Sequence, residues 1–142
     1  MIRIWIFVLI IAGFATLLPA QTRGGFSPSL SLSNVFQGHF PEAENIIWKK
    51  DASGYEVAFV SKTLKMIARY SLAEVWLQTD IEVPLNLIPE DAMSHLRKNF
   101  PQATIVKTGY LDAPQSRFFK IDILQDGRRR QLRYNDQGEF IQ

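Results

Sequence analysis

RFFKIDILQDGRRRQLRY, Arg117–Tyr134, is the stretch that decides the fold. Two runs with alternating apolar residues flank Asp126-Gly127, a dipeptide suited to a two-residue hairpin turn because both turn positions need positive φ. Closing the hairpin there sets Phe119 opposite Tyr134, Ile121 opposite Leu132 and Ile123 opposite Arg130. One face is then largely apolar, and the other carries Lys120, Arg129 and Arg133. An antiparallel sheet with one face covered and the other uncovered follows from that alternation.

Working outward, the chain repeats itself. At an offset of 64, Tyr55, Val57 and Phe59 match Phe119, Ile121 and Ile123, Arg69-Tyr70 matches Arg133-Tyr134, and Trp76-Leu77-Gln78 matches Phe140-Ile141-Gln142. At an offset of 60, Phe40-Pro41-Glu42-Ala43 matches Phe100-Pro101-Gln102-Ala103. The change of offset falls between Lys49–Gly54 and the longer Gly109–Arg117, which is expected to be a lengthened loop. A turn at Lys62-Thr63 gives the first copy the same register, with Tyr55 opposite Tyr70, Val57 opposite Ala68 and Phe59 opposite Met66. Each copy opens with a helix. The second starts after Pro89, with Glu90 and Asp91 suited to its positive end and Ala92, Met93, Leu96 and Phe100 as its apolar stripe. The first is expected over about Ser33 to His39, closed by Pro41. Strands are expected at Ile46–Trp48, Tyr55–Ser61, Leu64–Ser71 and Val75–Val83. The second copy has them at Thr104–Gly109, Arg117–Gln125, Arg128–Asn135 and Glu139–Ile141. The fold class is α+β, a tandem duplicated helix plus antiparallel-sheet repeat over residues 34–84 and 85–142, with helices on one sheet face.

Residues 1–20 differ in kind. Met1-Ile2-Arg3 is a short basic start, Ile4–Leu18 is an apolar run, and Leu18-Pro19-Ala20 precedes Gln21. This is the layout of a cleaved export signal, too short to span a membrane comfortably; an uncleaved anchor is the competing reading. Residues 21–33 form a Gly-, Ser- and Pro-containing leader. The expected location is periplasmic or secreted. With no cysteine among 142 residues there is no disulfide framework, thiolate zinc site or cysteine nucleophile. A net charge of +2 gives no general case for nucleic acid.

Leu87-Ile88-Pro89, Leu132-x-Tyr134-Asn135-Asp136-x-Gly138, Trp48, Ala68-Arg69-Tyr70, Trp76 and the paired Phe-Pro-x-Ala motifs together resemble the PepSY-like family of β-lactamase-inhibitor-like proteins, secreted proteins typical of Bacteroidetes. The resemblance covers about Val35 to Ile141. It implies a two-repeat α+β fold with a sheet open on one face, a periplasmic or secreted location, and no established enzymatic role. Fold alone does not carry inhibition. Ser71-Leu72-Ala73-Glu74 stands where the family has Asp-x-x-Gly, so a turn of different shape is expected there. Asp51 lies in the first hairpin loop, where an inhibitor of this kind could present an acidic finger; a turn-forming Asp in Asp51-Ala52-Ser53-Gly54 is the other reading.

The residues offer little chemistry for catalysis. His39 and His95 sit near the ends of the two helices without metal-ligand spacing, and Asp80/Glu82 and Glu90/Asp91 form no acid–base constellation. No phosphate loop or nucleophile elbow is present. No catalytic residue, metal or cofactor is expected, and the chain is read as no enzyme. The informative feature is the uncovered face of the second hairpin. Glu56 opposes Arg69 in the first copy, whereas the duplicate positions hold Lys120 and Arg133, a like-charge pair that costs up to about 1 kcal/mol. Six basic and two acidic residues lie between Arg117 and Arg133, although residues 85–142 as a whole carry 9 basic and 7 acidic. Lys120, Arg129, Arg133 and Arg117 are therefore candidates, with Asp51, for meeting a protein or peptide partner with an acidic surface. The competing reading is a solvated edge that Arg and Lys keep from pairing. For the whole chain the expectation is an exported, non-catalytic binding or inhibitory module with no nucleic-acid or, after signal cleavage, membrane partner. The alternatives are a small-ligand-binding or enzymatic domain of cystatin-like or NTF2-like shape, marked by a deep enclosed pocket, and a passive envelope component.

Overall fold

The computed structural model describes residues 25–141. The expected export signal and residues 21–24 of the leader lie outside them. Helix α1 (Leu30–His39) is followed by β1 (Glu44–Lys50), β2 (Gly54–Ser61), β3 (Leu64–Ser71) and β4 (Trp76–Glu82). A short turn of 3₁₀ helix at Leu85–Leu87 leads to α2 (Glu90–Asn99), β5 (Thr104–Ala113), β6 (Ser116–Gln125), β7 (Arg128–Tyr134) and β8 (Phe140–Ile141). The strands form one antiparallel sheet in chain order, β1 to β8. Both hairpin registers match the sequence expectation pair for pair, from Tyr55↔Tyr70 to Ile123↔Arg130.

The two halves bury the same positions. Residues 31–40 and 91–100 share one burial pattern, residue for residue. Leu32 and Phe36 of α1 pack with Val57, Phe59, Ala68 and Tyr70; Ala92 and Leu96 of α2 pack with Ile121, Ile123, Leu132 and Tyr134. The second helix carries the smaller side chains, and its sheet answers with Ile121 for Val57 and Leu132 for Ala68. Close packing requires such compensation of volume.

Three expectations change. Helix α1 begins at Leu30, three residues earlier than its apolar stripe indicates, so residues 30–33 of the expected leader are helical. Ser29 is the reason: its hydroxyl accepts from the Leu32 N–H at 3.0 Å and caps the helix. The inserted residues of the second copy are strand rather than loop. They lengthen the β5–β6 hairpin to Ala113↔Ser116, and Gly109–Asp112 take up the outer partner β4 through Glu82↔Gly109 and Thr79↔Asp112. The insertion is what joins two four-stranded halves into one sheet. Third, the Ser71–Glu74 turn keeps the shape of its duplicate. The Glu74 N–H donates to the Ser71 carbonyl and Ser71 N–H to the Val75 carbonyl, as Gly138 does to Asn135 and Asn135 to Glu139. Glu74 accepts a left-handed φ of 62° where Gly138 has 87°.

That strained residue has compensation. Helix α1 has no acidic residue in its first turn, whereas α2 has Glu90 and Asp91. The Glu74 carboxylate accepts from the Ser29 hydroxyl at 2.6 Å, which places an anion at the positive end of α1. Bonds from Ser29 and Ser31 hold its carboxyl below the usual range. Gly138 lies against α2 instead, where a Cβ would meet Pro89 Cβ at 2.8 Å and the Ala92 nitrogen at 2.9 Å.

Candidate functional site

Because side chains alternate along a strand, the residues between the core positions point away from the helices. Ile47, Ala58 and Ile67 lie side by side across β1–β3, followed by Asp80, Leu111 and Phe118 on β4–β6. Among the described residues neither helix covers this face, and it holds a depression of about 460 Å³. Every residue lining it belongs to a strand, from Asn45 on β1 to Gln131 on β7. It is an open trough across the junction of the two repeats, with Ala58, Val60 and Ile67 in its lining.

Two ion pairs form on this face. Lys120 reaches across β5 to form an ion pair with Asp80, and the two side chains are 24% and 28% exposed. Gly109 lies between them and makes room: a Cβ there would sit 3.0 Å from the Ile81 carbonyl oxygen and 3.6 Å from Lys120 Cε. Arg69 meets Glu56 at 3.3 Å, and Gln131 donates to Asp122 at 3.0 Å.

The like-charge juxtaposition of Lys120 and Arg133 is real in register and relieved in space. Lys120 turns to Asp80, while the Arg133 guanidinium lies 5.1 Å from the centre of the Phe118 ring, which it helps bury. The cost read from the sequence is thereby offset without an external anion. The five sequence candidates are not brought together. Arg129 opposes Leu124 at the far end of the uncovered face. Arg117 lies on the helix-side face, since it opposes Asp112 and that residue opposes the core residue Thr79; its Nε is 2.7 Å from Asp112 Oδ1. Asp51 is at the other end of the sheet, where its carboxylate accepts from Ser53 N–H at 2.7 Å, Ser53 Oγ at 2.6 Å and Gly54 N–H at 3.1 Å. These bonds, the Ser53 hydroxyl first, hold its carboxyl below the usual range and shape the turn.

Sequence reading missed the Asp80–Lys120 bridge, because the partners belong to different repeats and meet only through the extension of β5. A signal existed: Gly109 breaks a strand pattern, which marks a close approach. The histidines also have a shared role. His39 Nδ1 lies 3.4 Å from the Tyr70 hydroxyl and His95 Nδ1 3.1 Å from that of Tyr134. They come from adjacent turns of their helices yet serve duplicate tyrosines, whose buried hydroxyls need a partner. Burial pushes the Tyr70 phenol up to about 12 and raises that of Tyr134. Among the described residues no three His, Asp or Glu side chains cluster as a metal site, and no helix is long and apolar enough to cross a membrane.

Together the duplicated helices, the continuous sheet and its uncovered face define the β-lactamase-inhibitor-like fold. Solved structures bear this out. A BLIP-like protein from Bacteroides fragilis superposes with a TM-score of 0.76 at 18% identity, over 84% of this chain and 86% of its own. A DUF2874 family protein from Bacteroides ovatus gives 0.73 at 18% identity, over 83% and 87%. A candidate periplasmic protein from Bacteroides eggerthii gives 0.71 at 16%, over 83% and 88%. No family model and no curated protein matches the sequence. At these identities the likeness establishes the fold.

Proposed function

We propose that the chain is an exported, non-catalytic binding or inhibitory module of PepSY-like type that acts in the periplasm or outside the cell. It recognises a protein or peptide through the uncovered sheet face and the adjoining hairpin loops. One observation carries this reading: an eight-stranded sheet buries one face under two helices and leaves the other, with its apolar row and open trough, without a cover among the described residues. A face of that breadth suits a macromolecular surface better than a small ligand, which needs enclosure. In the trough Asp80 is paired with Lys120 and Asp122 accepts from Gln131, so these carboxylates are tied to neighbours rather than poised for acid–base chemistry. The fold's appearance in BLIP-like and candidate periplasmic proteins supports both the activity class and the location.

An acidic contact region on the partner would face Arg129 and Arg133, the candidates on this face without a carboxylate within ion-pair distance among the described residues. Capture of envelope proteins on the immobilised chain, followed by affinity measurement with purified partner, tests the proposal. Ile67→Arg should abolish binding, and Arg129→Glu with Arg133→Glu should weaken it in a salt-dependent way. Ser94→Arg, on the outer side of α2, should leave it unchanged. Equal affinity for wild type and Ile67→Arg overturns the reading. Lys120 is a poor reporter, because reversing its charge also breaks the internal pair.

A further inference from the structure

Among the described residues β1 is the long unpaired edge of the sheet. It bonds to β2 on one side only, and the opposite edge, β8, has two residues. Six of the seven residues of β1 are exposed, including Ile46 and Ile47, the latter at 61%. An edge carrying adjacent isoleucines offers unpaired N–H and C=O groups beside apolar surface, which favours strand addition.

We propose that β1 pairs with β1 of a second copy of this chain, antiparallel, about a two-fold axis through Ile47. The strand is complementary to itself read backwards. Ile47 meets its counterpart on the uncovered face, and Ile46 meets Trp48 of the second copy on the helix side. The bulge between Glu44 and Ile47 turns Glu44 to the uncovered face, opposite Val60. There Glu44 comes level with Lys49 of the second copy, and symmetry makes that charge pair twice. Other registers lose this match. Centring on Lys49 would set ammonium against ammonium, and a shift of one residue would place the helices of the two copies on opposite sides of the sheet.

The bulge has a counterpart: strand β5 carries one at the duplicate position, between Ile105 and Lys107, and accepts β4 beyond it, along Gly109–Asp112. The pairing of two β1 strands continues through the bulge on each. Pairing would also extend the row Ile67–Ala58–Ile47 across the axis, giving one apolar row twice as long on a single face. The interface is isologous and closes on itself, so it makes dimers and no fibres.

Sedimentation velocity of the purified exported protein from about 1 μM to about 1 mM reads the outcome, since edge pairing of this extent belongs at the weak end of protein association. The expected result is a reversible dimer. Ile47→Lys, which sets two ammonium groups on the axis, should leave only monomer. Glu44→Lys and Lys49→Glu should each weaken the dimer about tenfold, and the double charge swap should restore it. Leu124→Lys, at the far end of the sheet, should change nothing, and circular dichroism verifies that each variant is folded. A monomer at every concentration, a dimer that survives Ile47→Lys, or a double swap no tighter than its single variants would overturn the proposal.

Discussion

Removing the Asp80 carboxylate while keeping its shape, as in Asp80→Asn, leaves the Lys120 side chain, about three-quarters covered, without its partner. An exposed pair contributes about 0–1 kcal/mol, and breaking a buried one costs about 3–5 kcal/mol. Solvent still reaches a quarter of each side chain, so the cost should fall between these limits, at about 2 kcal/mol. Lys120→Met strands the carboxylate instead and should cost about the same. The double variant has no orphaned charge and should cost less than the two together, with a coupling of about 1–2 kcal/mol. In a fold of this size 2 kcal/mol lowers Tm by roughly 8 °C. Urea melts of the four proteins at low and high salt measure the coupling, which salt should weaken only in part because the pair is largely sheltered. Additivity within about 0.3 kcal/mol would refute the bridge as a link between the repeats.

Other perturbations test other joints. Gly138→Ala forces a left-handed Ala against Pro89 and the backbone of α2 and should destabilise by about 2–4 kcal/mol in denaturant melts. Glu74 has a folded pKa below its ordinary 4.5, so its contribution is complete above that pH and is lost as acid protonates the folded form; Glu74→Gln should flatten the acid limb of a stability–pH profile. The phenols of Tyr70 and Tyr110 are pushed up to about 12 from 10.0, the latter by burial first and then by Asp136. Their neutral forms favour the fold, so stability should fall between pH 10 and pH 12, and Tyr70→Phe should reduce that slope in alkaline titration followed by circular dichroism.

The duplication, the fold class and both hairpin registers were legible because each rests on local alternation and on turn chemistry. Asp126-Gly127 announces its turn. Lys62-Thr63 forms the same turn with φ of 49° and 70°, and only the repeat pointed to it. What escaped was anything set by contact between the halves. Asp80 and Lys120 are 40 residues apart, and Gly109 is the one hint that the extra residues of the second copy become strand and bring them together. Helix α1 began early because a single serine cap outweighed the apolar pattern. The turn at Glu74 kept its shape because tertiary contact with Ser29 offset a backbone conformation that propensity disfavours. Charge counting along Arg117–Arg133 pointed to a patch, yet folding sends Arg117 to the other face and ties Lys120 to Asp80, so a linear tally overstated the basic surface.

Oxidative side-chain footprinting of the protein with and without its captured partner examines the central claim most directly. Ile47, Ile67, Leu111 and Leu124 on the uncovered face should lose reactivity in the complex, while Leu85, Leu87 and Met93, beside or on the second helix, should keep theirs. Protection of the helix side with an unchanged sheet face would contradict it.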